Sequence, residues 1–319
     1  MRKILFTFLF VVVGFVIWVP LSKYKLDDTL KPLSIPENLE DLDTFIFNSE
    51  SQFSNLTEGS EKKILWFSKE KKQTEYSLLF FHGFSTSRKE LDPLIPNLAQ
   101  ALQANVYFPR LTGHGLTPEE FAKATANDWL NDTVESFLIA KKIGKKVIVI
   151  GSSTGCLFGV WLASREEYKK DLDSLILISA NFHPAAAMSD ITLYLAGIAL
   201  IKLVYGNYRT WQPPNELVKK YWIYSYPWEA IVPMMTLVDY AKTFPYSQIE
   251  TPALFLYTEH DTVIDTKKIQ EIYEIYKSNK KKIINLKEVK NHVMAGDAYS
   301  PESTELVKKV ILSYLQEIH

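Results

Sequence analysis

Two adjacent serines lie between glycines in the stretch Gly151-Ser152-Ser153-Thr154-Gly155, directly after the β-branched run 147–150 and before a helix-like pattern. A serine at the centre of a Gly-x-Ser-x-Gly frame, between a strand and a helix, occupies a sharp turn that presents its hydroxyl as a nucleophile. The flanking glycines let the strand and the helix pack closely. The frame is centred on Ser153, so the pattern predicts Ser153 as the nucleophile and leaves Ser152 as its neighbour.

A serine hydroxyl needs a base, and that base needs an acid to orient it. After a nucleophile of this kind the acid comes first along the chain and the histidine second, each behind a strand. Asp261 follows the apolar run 253–258, and His292 follows the run 282–288. The order therefore predicts Asp261 as the acid and His292 as the base. Asp265 is the competing acid, but its place before a helix-like pattern favours a capping role.

The negative oxygen that forms during acyl transfer needs N–H donors fixed in advance. One candidate is the backbone of Thr154, which follows the nucleophile. The other is the backbone of Phe84, which follows His82-Gly83 in the loop after the predicted strand 76–81. We interpret His82, and His114 in the stretch RLTGHG, as residues that stabilise these loops.

Short apolar runs alternate with longer helix-like stretches along most of the chain. The predicted strands are 63–68, 76–81, 105–109, 146–150, 174–179, 253–258 and 282–288. The predicted helices are 89–103, 126–142, 154–164, 266–277 and 301–317. This alternation predicts an α/β fold with a mostly parallel central sheet flanked by helices.

One segment interrupts the alternation. Residues 181–249 contain the apolar helical pieces 191–204 and 231–242 together with aromatic-rich turns, but no strand-like pattern. We interpret this segment as a helical cap inserted into the core. The predicted organisation is an N-terminal segment (1–21), a tether and lead-in (22–60), a core (61–180 and 250–319) and the cap (181–249).

The composition is that of an ordinary globular protein, with 47% hydrophobic and 23% charged residues. The 36 basic and 37 acidic residues give a formal net charge of −1, so no overall charge favours binding to nucleic acid. The single cysteine, Cys156, excludes both an intrachain disulfide and a zinc site built from cysteines. No motif implies a metal or an organic cofactor.

The N-terminal segment 1–21 combines two basic residues with an uncharged apolar run that approaches the roughly 18 residues of a membrane span. No small-residue cleavage site follows the run, which favours an uncleaved membrane anchor over a cleaved signal peptide. The basic residues before the run predict a cytoplasmic N-terminus and an extracytoplasmic catalytic domain. Lys23 and Lys25 on the far side reduce this asymmetry.

Over roughly residues 60–319 the chain resembles α/β-hydrolases of the monoacylglycerol lipase, lysophospholipase and carboxylesterase type. The resemblance is carried by six motifs in that family's order: FFHGFSTSRKEL, PRLTGHG, DWLNDTVESF, GSSTG, YTEHDTVID and NHVMAGD. It implies an α/β-hydrolase fold and ester cleavage through an acyl-serine intermediate under a helical cap.

By position in these motifs, Ser153 resembles the nucleophile, Asp261 the acid and His292 the base, while Phe84 and Thr154 resemble the oxyanion donors. Two positions depart from the family pattern. Ser152 stands where many members have histidine, and Thr258 stands where a glycine is common before the acid.

The leading hypothesis is a membrane-anchored serine hydrolase that takes a small-molecule acyl ester or a lipid. The apolar and aromatic residues of segment 181–249 favour an apolar acyl chain. A second hypothesis is a serine aminopeptidase, in which Glu216, Glu229 or Asp239 would bind a free amine. A third is a non-catalytic binding protein on a hydrolase fold. The sequence does not predict an oligomeric state.

Overall fold

The computed structural model describes residues 22–319. The predicted N-terminal anchor or signal segment, 1–21, lies outside this range. Within the described range, the helices are all too short or too polar to cross a membrane.

A seven-stranded sheet forms the centre of the molecule. Its strands, in chain order, are β1 (Lys63–Leu65), β2 (Thr74–Phe81), β3 (Asn105–Phe108), β4 (Gly144–Ser152), β5 (Leu172–Ile178), β8 (Ala253–Tyr257) and β9 (Lys281–Asn285). The strands β6 (Tyr208–Thr210) and β7 (Ser225–Pro227) lie outside this sheet. The spatial order is β1-β3-β2-β4-β5-β8-β9. Only the edge strand β1 runs antiparallel to its neighbour, and the other pairs are parallel. The predicted fold class is confirmed.

Helices cover both faces of the sheet. They are α1 (Leu42–Glu50), α2 (Leu94–Leu102), α3 (Pro118–Phe121), α4 (Ala126–Ile143), α5 (Gly155–Ala163), α6 (Glu166–Lys169), α10 (Thr266–Ile275) and α11 (Thr304–Ile318). The predicted helix 89–103 is wrong at its start, where a short 3-10 turn, Arg88–Leu91, precedes α2. Pro93 separates the two because its ring and missing N–H do not fit a helix interior.

The side chains of the central strands alternate between two hydrophobic cores. Leu79 and Phe81 of β2 pack into one core, while Leu78 and Phe80 pack into the other. All four are fully buried. Burial on both faces explains why the strands are continuous apolar runs and why they could be recognised in the sequence.

The segment between β5 and β8 carries the elements of the predicted cap. It contains the helices α7 (Leu195–Tyr205), α8 (Glu216–Tyr221) and α9 (Ile231–Ala241). It also contains a two-stranded antiparallel pair, β6 (Tyr208–Thr210) with β7 (Ser225–Pro227). The sequence showed no strand-like pattern in this segment, so this pair was missed. Strands of three residues are too short to produce a recognisable alternation of apolar and polar side chains.

Candidate active site

Ser153 lies in the turn between β4 and α5 with a left-handed backbone, at φ 53°. Such a conformation is strained for any residue except glycine, and it is typical of functional turns. The turn requires the glycines beside it, because a Cβ on Gly155 would lie 2.1 Å from the carbonyl oxygen of Phe81 and one on Gly151 would lie 2.5 Å from Cα of Cys156. The N-terminus of α5 starts directly behind the serine and favours negative charge there.

His292 and Asp261 form a direct pair. Nδ1 of His292 lies 2.7 Å from Oδ2 of Asp261, and the aspartate side chain is fully buried. The other carboxylate oxygen, Oδ1, accepts the amides of Val263 and Ile264 at 2.8 and 3.2 Å. The loop after β8 therefore fixes the carboxylate, and the carboxylate in turn orients the imidazole.

Asp265 has the capping role expected from the sequence. Its Oδ1 accepts the amide of Lys267 at 3.1 Å at the start of α10. Asp261, not Asp265, is the carboxylate that contacts His292.

Two hydroxyl groups tie the histidine loop to neighbouring strands. Ser179, at the end of β5, donates to the carbonyl of His292 at 2.8 Å. Thr258, the departure from glycine noted in the sequence, donates to the carbonyl of Val289 at 2.6 Å. The threonine side chain thus links the loop of the acid to the loop of the base, a role that glycine could not fill.

The two proposed oxyanion amides lie at the ends of neighbouring parallel strands. Phe84 follows β2 and lines the same cavity as Ser153, while Thr154 begins the turn into α5. Within residues 22–319 neither amide donates a hydrogen bond to another residue. Aromatic contacts with Phe121 and Tyr226 hold the Phe84 ring, with centroids 5.1 and 5.6 Å away.

His82 and His114 stabilise the loop of Phe84, as expected. Nδ1 of His82 lies 2.9 Å from the carbonyl of Gly83, and Nε2 of His114 accepts the amide of Ser85 at 3.2 Å. Burial lowers the pKa of His82 to about 4 and that of His114 well below its usual value. Both rings are therefore neutral near pH 7 and act as hydrogen-bonding supports.

Glu90 is the residue near this site that the sequence analysis missed. It lies in the 3-10 turn after the Phe84 loop, is only 2% exposed, and lines the cavity together with Ser153 and His292. Its Oε2 accepts the amide of Gly83 at 2.7 Å. Burial raises the pKa of Glu90 to about 7, against the opposing effects of that hydrogen bond, His292 and Ser152.

A cavity of about 1020 Å³ opens onto Ser153 and His292. The cap contributes most of its apolar wall, including Leu200, Val204, Trp228 and Met234. This volume is at the upper end of the range for small-molecule sites, roughly 300–1000 Å³. The space can hold an extended apolar group with its reacting end at the serine.

The sequence of this chain matches that of a known protein family, described as serine aminopeptidase, S33, over residues 72–297. The chain belongs to this family. The match covers the strand β2, the serine turn, the cap and the loop of His292, so the whole candidate site of this S33 protein lies within it. No curated protein matched the chain in sequence.

Solved structures of lipases share the α/β-hydrolase fold of this S33 protein. A structure reported for the metagenome-derived lipolytic enzymes LipS and LipT has 23% identity and a TM-score of 0.68, and the match covers 82% of this chain and 100% of that one. A soluble variant of the monoglyceride lipase from Saccharomyces cerevisiae has 12% identity and a TM-score of 0.61, with coverages of 92% and 98%. A monoacylglycerol lipase from Paleococcus ferrophilus has 14% identity and a TM-score of 0.58, with coverages of 81% and 98%.

The cap carboxylates considered for binding an amine in an S33 aminopeptidase do not line the cavity. Glu229 pairs with Lys202 at 2.7 Å, and Asp239 pairs with Lys23 at 2.6 Å. Glu216 is exposed at the surface. In this family member the structure does not bring these three acids to the serine.

Proposed function

We propose that this protein is a serine hydrolase that cleaves carboxylic esters of an apolar acyl chain through an acyl-serine intermediate. One observation carries the proposal. A serine in a strained turn and a histidine held by a buried aspartate line the same largely apolar cavity.

In the first half of the reaction, Nε2 of His292 takes the proton of Ser153 while Oγ attacks the ester carbonyl carbon. The carbonyl oxygen becomes an oxyanion and accepts the amides of Phe84 and Thr154. Asp261 stabilises the imidazolium that forms. His292 then gives its proton to the leaving alcohol, and the acyl group remains on Ser153.

In the second half, His292 takes a proton from water, and the resulting hydroxide attacks the acyl carbon. The tetrahedral intermediate collapses, the proton returns to Oγ of Ser153, and the carboxylic acid leaves. All of these proton transfers use side chains of the described chain.

The cavity favours an ester with an apolar acyl chain over a peptide with a free N-terminus. Its cap wall is mostly apolar, and none of Glu216, Glu229 and Asp239 reaches it. The names of the structural neighbours, lipolytic enzymes and monoacylglycerol lipases, agree with this preference. The family description, serine aminopeptidase, is the reason to test cleavage of aminoacyl amides as well.

We expect kcat/KM for p-nitrophenyl esters to rise with acyl length from acetate to octanoate. Each methylene that enters the apolar cavity contributes about 0.8 kcal/mol, which corresponds to as much as fourfold in kcat/KM. Aminoacyl p-nitroanilides of alanine and proline should be cleaved at least about a hundredfold more slowly than the best ester. The measurement is a set of initial rates at one pH with the full chain.

The matched control for this panel is the Ser153→Ala variant, which should cleave both substrate classes at least about 10⁴-fold more slowly than the wild type. Faster cleavage of the anilides than of every ester would contradict ester specificity and support the aminopeptidase alternative. An absence of turnover with both classes would favour the non-catalytic alternative.

We further propose that residues 1–21 anchor the protein in a membrane with the catalytic domain on the extracytoplasmic side. The described chain begins beside the cap, where the carbonyl of Ser22 accepts the amide of Leu195 at 3.2 Å. The cap helix α7, which begins at this contact, exposes apolar side chains along its length, with Leu195 50%, Leu203 83% and Val204 62% accessible. An anchor here would hold the mouth of the cavity near lipid.

Fractionation of cells tests this location. The full chain should sediment with membranes and resist extraction by salt, while a chain that starts at Ser22 should be found in the soluble fraction with its esterase activity intact. Recovery of the full chain in the soluble fraction would contradict the anchor.

A further inference from the structure

Glu90 places a buried carboxylate between the two loops that carry the catalytic groups. On one side, Oε2 accepts the amide of Gly83 at 2.7 Å, one residue before the proposed oxyanion donor Phe84. The contact is close, because a Cβ on Gly83 would lie 2.9 Å from Oε1 of Glu90 and 3.2 Å from Cβ of Ser153. The carboxylate therefore limits where the oxyanion loop can lie relative to the serine.

On its other side, the turn of Glu90 packs against the loop that carries His292. Gly296 sits directly on the backbone of this turn, since a Cβ there would lie 2.6 Å from the carbonyl oxygen of Glu90. The amide of Asp297 donates to the carbonyl of Asp92 at 2.9 Å. The oxyanion loop and the histidine loop thus share one support.

The groups that face the Glu90 carboxylate come from three neighbouring elements. The Ser152 hydroxyl at the end of β4 lies close enough to act on the charge of the carboxylate. Three titratable neighbours interact electrostatically with Glu90. His292 lowers the pKa of Glu90, and Glu90 raises the pKa values of Tyr299 and Cys156. The imidazole is the only one of the three that becomes positive during ester cleavage.

We propose that Glu90 is a positioning residue of the catalytic centre, which holds the oxyanion loop through Gly83 and directs a second negative charge at His292. The proposal rests on the proposed function. It also accounts for Ser152, since a serine at this position leaves room for the Glu90 carboxylate and places a hydroxyl beside it.

Holding the oxyanion loop and directing a negative charge at His292 place different requirements on the side chain at position 90. Any acceptor of the right length at position 90 can hold the Gly83 amide, but only a carboxylate supplies charge to the imidazolium in the transition state. Because the pKa of Glu90 is raised to about 7 by burial, the charge is present above that pH and is lost as the pH falls. Activity should therefore fall on the acid side as Glu90 takes up its proton.

The experiment compares Glu90→Gln and Glu90→Ala with the wild-type full chain on the best p-nitrophenyl ester. Glu90→Gln keeps the shape and the acceptor but not the charge, and should lower kcat/KM at pH 8 by about tenfold. The slope of log kcat/KM against pH on the acid limb should be about one unit lower than in the wild type, because the protonation of Glu90 is removed. Glu90→Ala loses the acceptor as well and should lower kcat by about a hundredfold with little change in KM.

Asp132→Asn is the matched control. Asp132 also accepts a backbone amide, that of Thr112 at 2.6 Å, and burial raises its pKa to about 6, but it does not line the cavity. This variant should leave kcat/KM within about twofold and the acid slope unchanged.

A Glu90→Gln enzyme with wild-type kcat/KM and slope would overturn the proposal. So would a loss confined to aminoacyl substrates, which would make Glu90 a binding group for an amine. Labelling of Ser153 by a fluorophosphonate in the wild type separates these outcomes from failure of the proposed function, because an unreactive wild type would count against the hydrolase itself.

Discussion

Replacing Ser153 by alanine should lower kcat/KM for the best p-nitrophenyl ester by about 10⁴-fold or more and abolish labelling by fluorophosphonates. Alanine removes the oxygen proposed to form the acyl intermediate, while the amides of Phe84 and Thr154 and the cavity remain. The residual rate should be that of bound ester attacked by water. Stopped or continuous assays of ester cleavage with the purified full chain measure the wild-type rate and the variant rate under the same conditions.

Ser152→Ala is the control that separates the two serines. Ser152 ends β4, pairs with Ile178 of β5, and does not line the cavity. Its loss should keep most of the activity and all of the labelling, with any small decrease caused by its position beside Glu90. Equal loss in the two single variants would contradict the assignment of the nucleophile.

Asp261→Asn should lower kcat by about 10⁴-fold at neutral pH, the second largest effect we expect. Oδ1 of the aspartate accepts two backbone amides. In the variant the asparagine oxygen should occupy this position, because only it can accept these amides, and the NH₂ group then faces His292. The NH₂ group cannot accept from Nδ1–H, and the imidazole is then held in the wrong tautomer and without compensation for its positive charge. Measuring kcat from pH 6 to 10 tests this.

The competing acid supplies the control here. Asp265→Asn keeps a good cap for α10, because asparagine caps helices about as well as aspartate. Activity should stay within about twofold of the wild type. A large loss in Asp265→Asn with a small loss in Asp261→Asn would reverse the roles of the two acids.

The sheet and the order of the site residues could be read from the sequence because each depends on local pattern. Strands that are buried on both faces are largely apolar, so β2 and β5 could be recognised in the sequence as continuous apolar runs. The glycines around Ser153 are required because a Cβ on either would lie only 2.1 or 2.5 Å from neighbouring backbone atoms, and such tight turns leave a recognisable frame. Asp265 could be separated from Asp261 because Asp265 directly precedes the helical pattern.

Glu90 could not be found in this way. In the stretch STSRKEL it looks like a solvent-exposed residue at the start of a helix, but packing against the oxyanion loop and the histidine loop buries it. The signal in the sequence is weak: Pro93 ends any helix that begins at Arg88, and a short turn can point one side chain inward. The cap pair β6 and β7 was missed for a different reason, since three-residue strands carry no periodicity.

Mapping the site of fluorophosphonate labelling on the wild-type protein tests the central claim most directly. The probe phosphonylates an activated serine as Oγ attacks phosphorus and fluoride leaves, with His292 taking the proton. Mass spectrometry of the digested adduct should place the added mass on Ser153 alone, and His292→Ala should prevent it. An adduct on Ser152 or on a serine outside the cavity, or labelling that persists without His292, would contradict this account.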